Sequence, residues 1–462
     1  MFRKRFISFV LVGILMGMVF LTGCGSNDNK GNDDTANKET KELTMWTWKV
    51  AYIPGFENVA KEYEEKTGIK VNIESFTPDD TYRQKLLAAA NGGTLPDVVH
   101  IWASAGQGVE NALVDLAPKV DSFENEFKSN AFDIITVKEE QVNGWQNDKN
   151  ASEVLKSLKA GETYGIPLDM GGFFTFYGNK EIMEKAGLEV KAPETWEEFI
   201  SIMETIKEKT GVAPLAYSGK IPDIWYSFAG CALEVMLNGE EGYQGLLTRT
   251  EKFSDPQHLK VLQAFEQLVE KDLLLPGVLT MDIDTADQQF AAGKAAFDLG
   301  GSFTMSTLLA MGMNEEDIFT FTVPAIEGSK YPEWTMNPFT LTMLSVSNQS
   351  DKQEEALDFI KFMSSKEGAI LFANNGFSIP ATDLGSDIEK LDPALRNIAE
   401  SFTDEPAPLS RVPAYPDNFW NHAEWRVHDT MIQKIVAGEA TAEEAAKAID
   451  DAAAAEEAAG NK

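Results

Sequence analysis

Cysteine is almost absent: the 462 residues contain two, Cys24 and Cys231. Two cysteines cannot build a disulfide framework. Cys231 lies in the apolar run Phe228-Ala229-Gly230-Cys231-Ala232-Leu233, where a small buried thiol is expected. Positive charge is scarce too, with 40 Lys and Arg against 73 Asp and Glu, a formal net charge of −33. So acidic a surface repels phosphate backbones and anionic headgroups, which excludes nucleic-acid binding and leaves attraction of small cations open. The four histidines, His100, His258, His422 and His428, show no HExxH or paired-ligand spacing, and neither a Gly-x-Ser-x-Gly elbow nor a P-loop occurs. Asp282-Ile283-Asp284 begins like a calcium loop, but Ala286 and Asp287 stand where a third ligand and a glycine belong. No catalytic residue, metal or cofactor is therefore expected. The one enzyme reading left open is a surface glycoside hydrolase, since carboxylates are abundant enough to supply a cleft pair.

Long hydrophobic runs are also lacking. The longest, Phe6 to Phe20, falls short of the ~20 residues of a spanning helix. It follows Arg3, Lys4 and Arg5 and precedes Leu21-Thr22-Gly23-Cys24, which gives the charged region, apolar region and small residues of a secretory leader. The Leu-Thr-Gly-Cys stretch resembles the lipobox of bacterial lipoproteins, in which the cysteine is joined to diacylglycerol and becomes the first mature residue. Residues 1–23 are then a signal peptide. Its removal leaves 439 of 462 residues, and the loss of three basic side chains makes the charge −36. Residues 24–42 are Gly, Ser, Asn, Asp, Lys and Thr with almost nothing apolar, a composition expected to form a flexible tether.

The remaining body is too long for one hydrophobic core, so two lobes are expected. Leu43 to Trp48 reads as a strand, and Phe56, Val59, Ala60 and Tyr63 mark one face of a helix ending at Thr67-Gly68. Ile69 to Phe76 is a second strand, Tyr82, Leu86, Ala89 and Ala90 a second helix, and Val98 to Trp102 a doubly buried strand. That alternation predicts a parallel α/β sheet whose ligand edge carries Trp48, Phe76 and Trp102. Farther on, Thr195-Trp196-Glu197-Glu198 has the spacing of a capping box, and Asp255-Pro256 puts a cap residue before a first-turn proline. Strands are expected at Phe173 to Tyr177, Ala295 to Leu299 and Phe339 to Val346, with a helix at Phe303 to Met311. The Ala/Glu-rich stretch from Ala440 to Ala459 is expected to be a fraying surface helix.

The positive signal is aromatic. Nine tryptophans occur, and Trp48, Trp102, Trp225, Trp334 and Trp420 stand near element ends, whereas Trp46, Trp145 and Trp196 read as structural. An indole face stacks on the C–H face of a pyranose while Asp, Arg and Asn bond its hydroxyls, so aromatics beside polar groups suit carbohydrate.

Taken in order, the segments resemble the family 1 extracellular solute-binding proteins, the sugar-capturing subunits of bacterial ABC importers. The likeness is carried by Leu43 to Val71, by Gly92-Gly93-Thr94-Leu95-Pro96-Asp97-Val98, by Gly165-Ile166-Pro167 and by Pro193 to Glu198. Ala291 to Phe303 and Glu355 to Phe362 continue it. The resemblance implies an α/β two-lobe periplasmic-binding-protein-like fold, each lobe a mostly parallel sheet flanked by helices, with ligand in the cleft between. It assigns residues 43–167 and 325–378 to lobe one and 168–324 and 379–462 to lobe two, with crossings near 167–170, 321–325 and 377–381. By position it places Trp48, Arg83, Trp102 and Ser104 on the first side of the cleft. Asp169, Trp225, Phe303 and Trp420 stand at the hinge and second side, with Trp334 and Arg411 near crossings. Asp97 reads as a loop cap. Trp48-Lys49-Val50-Ala51 and Phe303 depart from the maltodextrin-binding pattern, so another glycan is implied. The expected partners are an oligosaccharide and the permease subunits of an ABC importer, with the membrane touched only through lipid. A monomer outside the membrane is expected.

Changing Cys24→Ser is expected to leave an unlipidated, uncleaved precursor. Intact-mass measurement showing normal processing would overturn the lipobox reading.

Overall fold

Between residues 42 and 102 the alternation of strand and helix is imposed by two left-handed glycine stops. The helix Ile53–Thr67 ends where Gly68 takes φ 76° and donates to the Glu64 carbonyl at 2.8 Å, and the helix Asp79–Gly92 ends at Gly93 with φ 70°. Both turn the chain back into the sheet at a conformation only glycine adopts without cost. The computed structural model describes residues 41–459 except 124–126, 150, 333–337, 394, 397, 398 and 400–421. Among these, β1 (Glu42–Thr47), β2 (Lys70–Ser75), β3 (Val98–Trp102), β4 (Ile166–Gly171) and β9 (Phe339–Val346) form one sheet in the order β2-β1-β3-β9-β4. A second sheet, in the order β6-β7-β5-β8, contains β5 (Thr175–Asn179), β6 (Ala213–Ala216), β7 (Ala295–Gly300) and β8 (Ile318–Thr322).

β1 pairs in parallel with both β2 and β3, and β6 with β7. β9 runs against β3 and β4, and β5 against β7 and β8. These opposed strands lie next to the crossings. β5 follows β4 after a three-residue link that changes sheets, and β9 follows β8 after the return. The first crossing therefore falls between Gly171 and Thr175, not at 167–170, because β4 stays bonded to β9 as far as Gly171.

Each sheet has its own core. In the first, Phe56, Val59 and Tyr63 pack with Phe359, Ile360, Met363 and Phe372. Gly55 permits this approach, since a Cβ there would lie 2.8 Å from the Phe372 ring. In the second, Trp196, Phe199, Phe265, Phe297 and Phe321 form the centre, joined by Trp425, Ala442, Ala445, Ala446 and Ile449. The C-terminal helix Ala442–Ala458 thus departs from the expected fraying surface helix. Ala442, Ala445, Ala446 and Ile449 are fully buried, and these mostly small side chains let the helix lie close on its neighbours. Leu384, Leu391 and Leu395, expected in lobe two, pack instead on Ala369 and Ala373 of the helix Lys366–Gly376. That helix lies against Ile53–Thr67 of the first lobe.

Two capping expectations meet different fates. Thr195 Oγ1 accepts from the Glu198 amide at 3.1 Å and opens the helix Trp196–Thr210, but the Glu198 carboxylate accepts from the Glu194 amide at 2.7 Å, so only half of the expected box forms. Pro256 does start the helix Pro256–Glu270, but the Asp255 side chain bonds back to the Lys252 amide and caps nothing in the helix. Among the described residues no helix is long and apolar enough to cross a membrane.

Asp97 has the structural part expected of it. Its carboxylate accepts from the Thr44 amide at 2.7 Å, the Thr44 hydroxyl at 2.9 Å and the Ser350 hydroxyl at 2.5 Å, tying β1 to the turns before β3 and after β9. Asp97→Ala strands these donors in a nearly buried site and is expected to cost about 2 kcal/mol in a urea melt with unchanged slope. A loss within experimental error would refute that role.

Candidate functional site

In a parallel sheet, β1 and β3 end on the same edge, so the residues following them converge. The Trp48 ring stacks on His100 at 4.5 Å and on Trp102 at 4.0 Å between ring centres. His100 can serve as a flat neutral partner because burial, and secondarily the charge of Lys49, push its imidazole down to about 3. On Trp102 the Arg83 guanidinium carbon lies 3.7 Å from the ring centre. Two planar groups this close to one ring centre cannot share a face, so Trp102 is held between Trp48 and Arg83. Trp48 is only 5% exposed and acts as the packed base of the stack; Trp102 is half-buried and Arg83 exposed. The Ser104 hydroxyl accepts from the Gly106 amide at 3.2 Å and shapes the loop beyond β3.

Phe303 stands on the second lobe, half-buried at the start of the helix Thr304–Ala310. The Lys49 ammonium, one residue beyond Trp48, lies 4.3 Å above the Phe303 ring centre, so here the lobes face each other. Around Phe303 is an aromatic wall that the sequence did not single out. Phe173 stacks on Phe228 at 4.4 Å, meets Phe339 edge-on at 5.3 Å and lies 6.3 Å from Phe303. Its signal in the sequence was Gly171-Gly172 before a Phe pair. Phe174 takes φ 64° and is buried, while Phe173 stays half-buried. Lys49 and Tyr52 had no motif to mark them.

Two residues expected at the ligand are held inside the fold. Asp169 is fully buried, and its carboxylate accepts from the hydroxyls of Tyr52 at 2.6 Å, Ser378 at 2.7 Å and Thr342. Burial raises its pKa and those hydroxyls oppose the rise. Its oxygens are committed within the fold, and it anchors the crossing. Trp225 is likewise fully buried, 4.6 Å from Phe265 and 5.8 Å from Trp196 between ring centres. The proline turn before it does start a helix, but residues Tyr226–Gly230 wind as a π-helix and the indole points into the second core. The structural readings of Trp145 and Trp196 agree with their burial, and Trp46 packs edge-on to Phe76 at 5.2 Å. Trp334, Arg411, Trp420 and Cys24 lie outside the described residues.

Other candidate sites are poorer. His422, Glu424 and Glu456 are close enough together for an ion, but Arg249 occupies them, with Nε and Nη2 at 2.8 and 2.7 Å from the Glu424 oxygens and a further bond to Glu456. A groove of about 440 Å³ on the second lobe, lined by Asn179, Glu184, Ala291 and Asn314, offers no aromatic face and lies away from the cleft.

Two sheets joined by crossing strands, with aromatic faces on both sides of the cleft, define a two-lobe binding-protein architecture. The chain belongs to the family of bacterial extracellular solute-binding proteins, whose pattern matches residues 51–370. It is 28% identical over 373 residues to the diacetylchitobiose-binding protein DasA of Streptomyces coelicolor, covering 79% of each chain. Among solved structures it is similar to a chitin oligosaccharide binding protein, with a TM-score of 0.66 and 21% identity over 91% of this chain and 99% of that one. It is also similar to maltose-bound MalE3 of T. maritima, with a TM-score of 0.66 and 18% identity over 89% and 98%.

Trp225→Ala is expected to lower stability by ~3–5 kcal/mol in a denaturant melt, the cost of emptying a buried indole site. An unchanged midpoint would return Trp225 to the cleft.

Proposed function

We propose that this protein captures an oligosaccharide between its lobes and, held to the membrane by lipid on Cys24, passes it to the permease of an ABC importer without cleaving it. The half-buried ring of Trp102 at the ligand edge of β3, on the side where Lys49 reaches across to Phe303 of the second lobe, carries the reading. Flat apolar faces with an adjacent guanidinium suit a pyranose, whose C–H face stacks while its hydroxyls take hydrogen bonds. That DasA binds diacetylchitobiose and that similar folds hold chitin oligosaccharides and maltose supports a glycan. The lobes would correspond to the two sheets, residues 172–324 and 422–459 belonging to the second. Closure around ligand gives the permease a difference in shape between loaded and empty protein. A monomer suffices for that.

A thermal-shift screen should include chitobiose, maltotriose, xylotriose and raffinose. At least one glycan is expected to stabilise the protein and to be recovered whole after long incubation. Trp102→Ala should weaken that glycan about thirtyfold with little change in melting temperature. Shortened products would favour a hydrolase, and unchanged affinity would remove Trp102 from the site.

A further inference from the structure

Groups on opposite sides of the cleft each lack the partner their chemistry requires. On the first side, the half-buried Lys49 ammonium rests on π faces alone, 4.3 Å from Phe303 and 5.7 Å from Tyr52, with no ion pair to a described residue. On the second, Asp287 of the helix Ile283–Ala291 and Asp298 of β7 are 1% and 0% exposed. Apart from a proton shared between the two carboxyls, the Leu299 amide beside Asp298 is the one backbone donor that favours its charge, and Oδ2 of Asp287 meets no donor among the described residues. A buried carboxylate with so few donors is costly, and a half-buried ammonium without an anion is unspent attraction.

We propose that Lys49 and the Asp287–Asp298 pair are the two halves of a latch, the ammonium turning from the Phe303 face to the under-bonded carboxylate oxygens as the lobes close. This rests on the reading that the protein works by closure. The field of Lys49 already reaches Asp287, Asp169 and His100 from its place over Phe303. The other ionisable groups facing the pair are Asp284 on the same helix and Tyr177, opposite Asp298 on β5, whose hydroxyl donates to the Gly301 carbonyl at 2.6 Å. The helix Thr304–Ala310 brings none.

Such a latch depends on proton count. Burial raises both carboxyls, Asp298 to about 7 and Asp287, beside the Asp298 charge, well above the usual range. Below about 7 both are protonated and offer Lys49 no charge. Above it the pair keeps one proton and carries one negative charge, which an ammonium neutralises. Closure is therefore favoured as pH rises through about 7.

Small-angle scattering on the full chain without ligand, about one and a half units either side of pH 7, tests this. The wild-type radius of gyration is expected to be smaller on the alkaline side. Lys49→Met and Asp298→Asn should each abolish the difference, and the double variant should add nothing to either. Each should also weaken any glycan from the screen by about fivefold. A pH difference that survives in Lys49→Met, or no difference in the wild type, overturns the latch. If Asp298→Asn fails to fold, Lys49→Met alone decides. Failure of every glycan to bind would count against sugar capture, while the ligand-free measurement still judges the latch.

Discussion

The arrangement depends on one buried carboxylate held by hydroxyl groups. Asp169 sits in β4 where the chain is about to leave the first sheet, and its three donors come from three places: Tyr52 before the first long helix, Thr342 in β9 and Ser378 after the helix Lys366–Gly376. An unpaired buried charge is costly, whereas three short hydroxyl bonds, with the charge of Lys49 behind them, can hold one. The Tyr52 ring also meets Phe372 edge-on at 5.3 Å, so the clasp is welded to the first core. Backbone bonds from Met170 to Ile379 and from Ala381 to Leu168 complete it. If the lobes move as proposed, the motion of the second sheet would be taken up beyond Gly171, in the short link that holds Phe173. A hinge there would carry an aromatic wall of the cleft along with the lobe.

The second lobe is consolidated differently. With no disulfide available, its C-terminal helices are tied back by charge set into apolar surroundings: Arg249 bonds Glu424 at the start of one helix and Glu456 near the end of the next. Nearby, buried His258 lies between Glu234 and Glu251. Burial pushes that imidazole down, but hydrogen bonds and charge from both glutamates more than reverse it, so its pKa is raised. Such a group contributes stability that is full below its unfolded pKa and fades as pH rises through the folded one. Acidic groups dominate the surface, and two basic groups, Arg249 and His258, are placed inward, where burial magnifies their pairing.

How much of this was legible follows from what each signal reports. Periodicity and glycine stops located β1, β2, β3 and the two helices between them closely, because those patterns are local. The convergence of Trp48 with Trp102 followed from parallel strand order, which fixes the common edge. Asp169 and Trp225, expected at the ligand, are both fully buried. A turn-and-helix start says where an indole lies along the chain, and nothing about its rotation; the π-helical turn after Trp225 is invisible in composition. Asp169 could be found as special but not as satisfied, since its three donors come from positions more than a hundred residues away. Lys49 and Phe173 escaped for the same reason. Their significance lies in what the other lobe places opposite them.

That asymmetry bears on how the cleft works. The first side presents a rigid stack: Trp48 is packed against His100, Trp102 against Trp48, and the Tyr82 hydroxyl beneath donates to the His100 carbonyl at 2.7 Å. A surface so braced loses little entropy on meeting a ligand. The second side is built of phenylalanines on a link, a π-helix and a helix start, all packed on the second core. On the proposed reading, a fixed indole platform and an apolar wall would separate two tasks, orientation by the first lobe and enclosure by the second. If Trp102 stacks on a sugar as proposed, Arg83, which lies on its ring, would have to yield that face, so a glycan would exchange one planar contact for another. The gain on binding would then be the difference between a guanidinium and a pyranose on the same indole face, which would make hydroxyl pattern the larger source of discrimination.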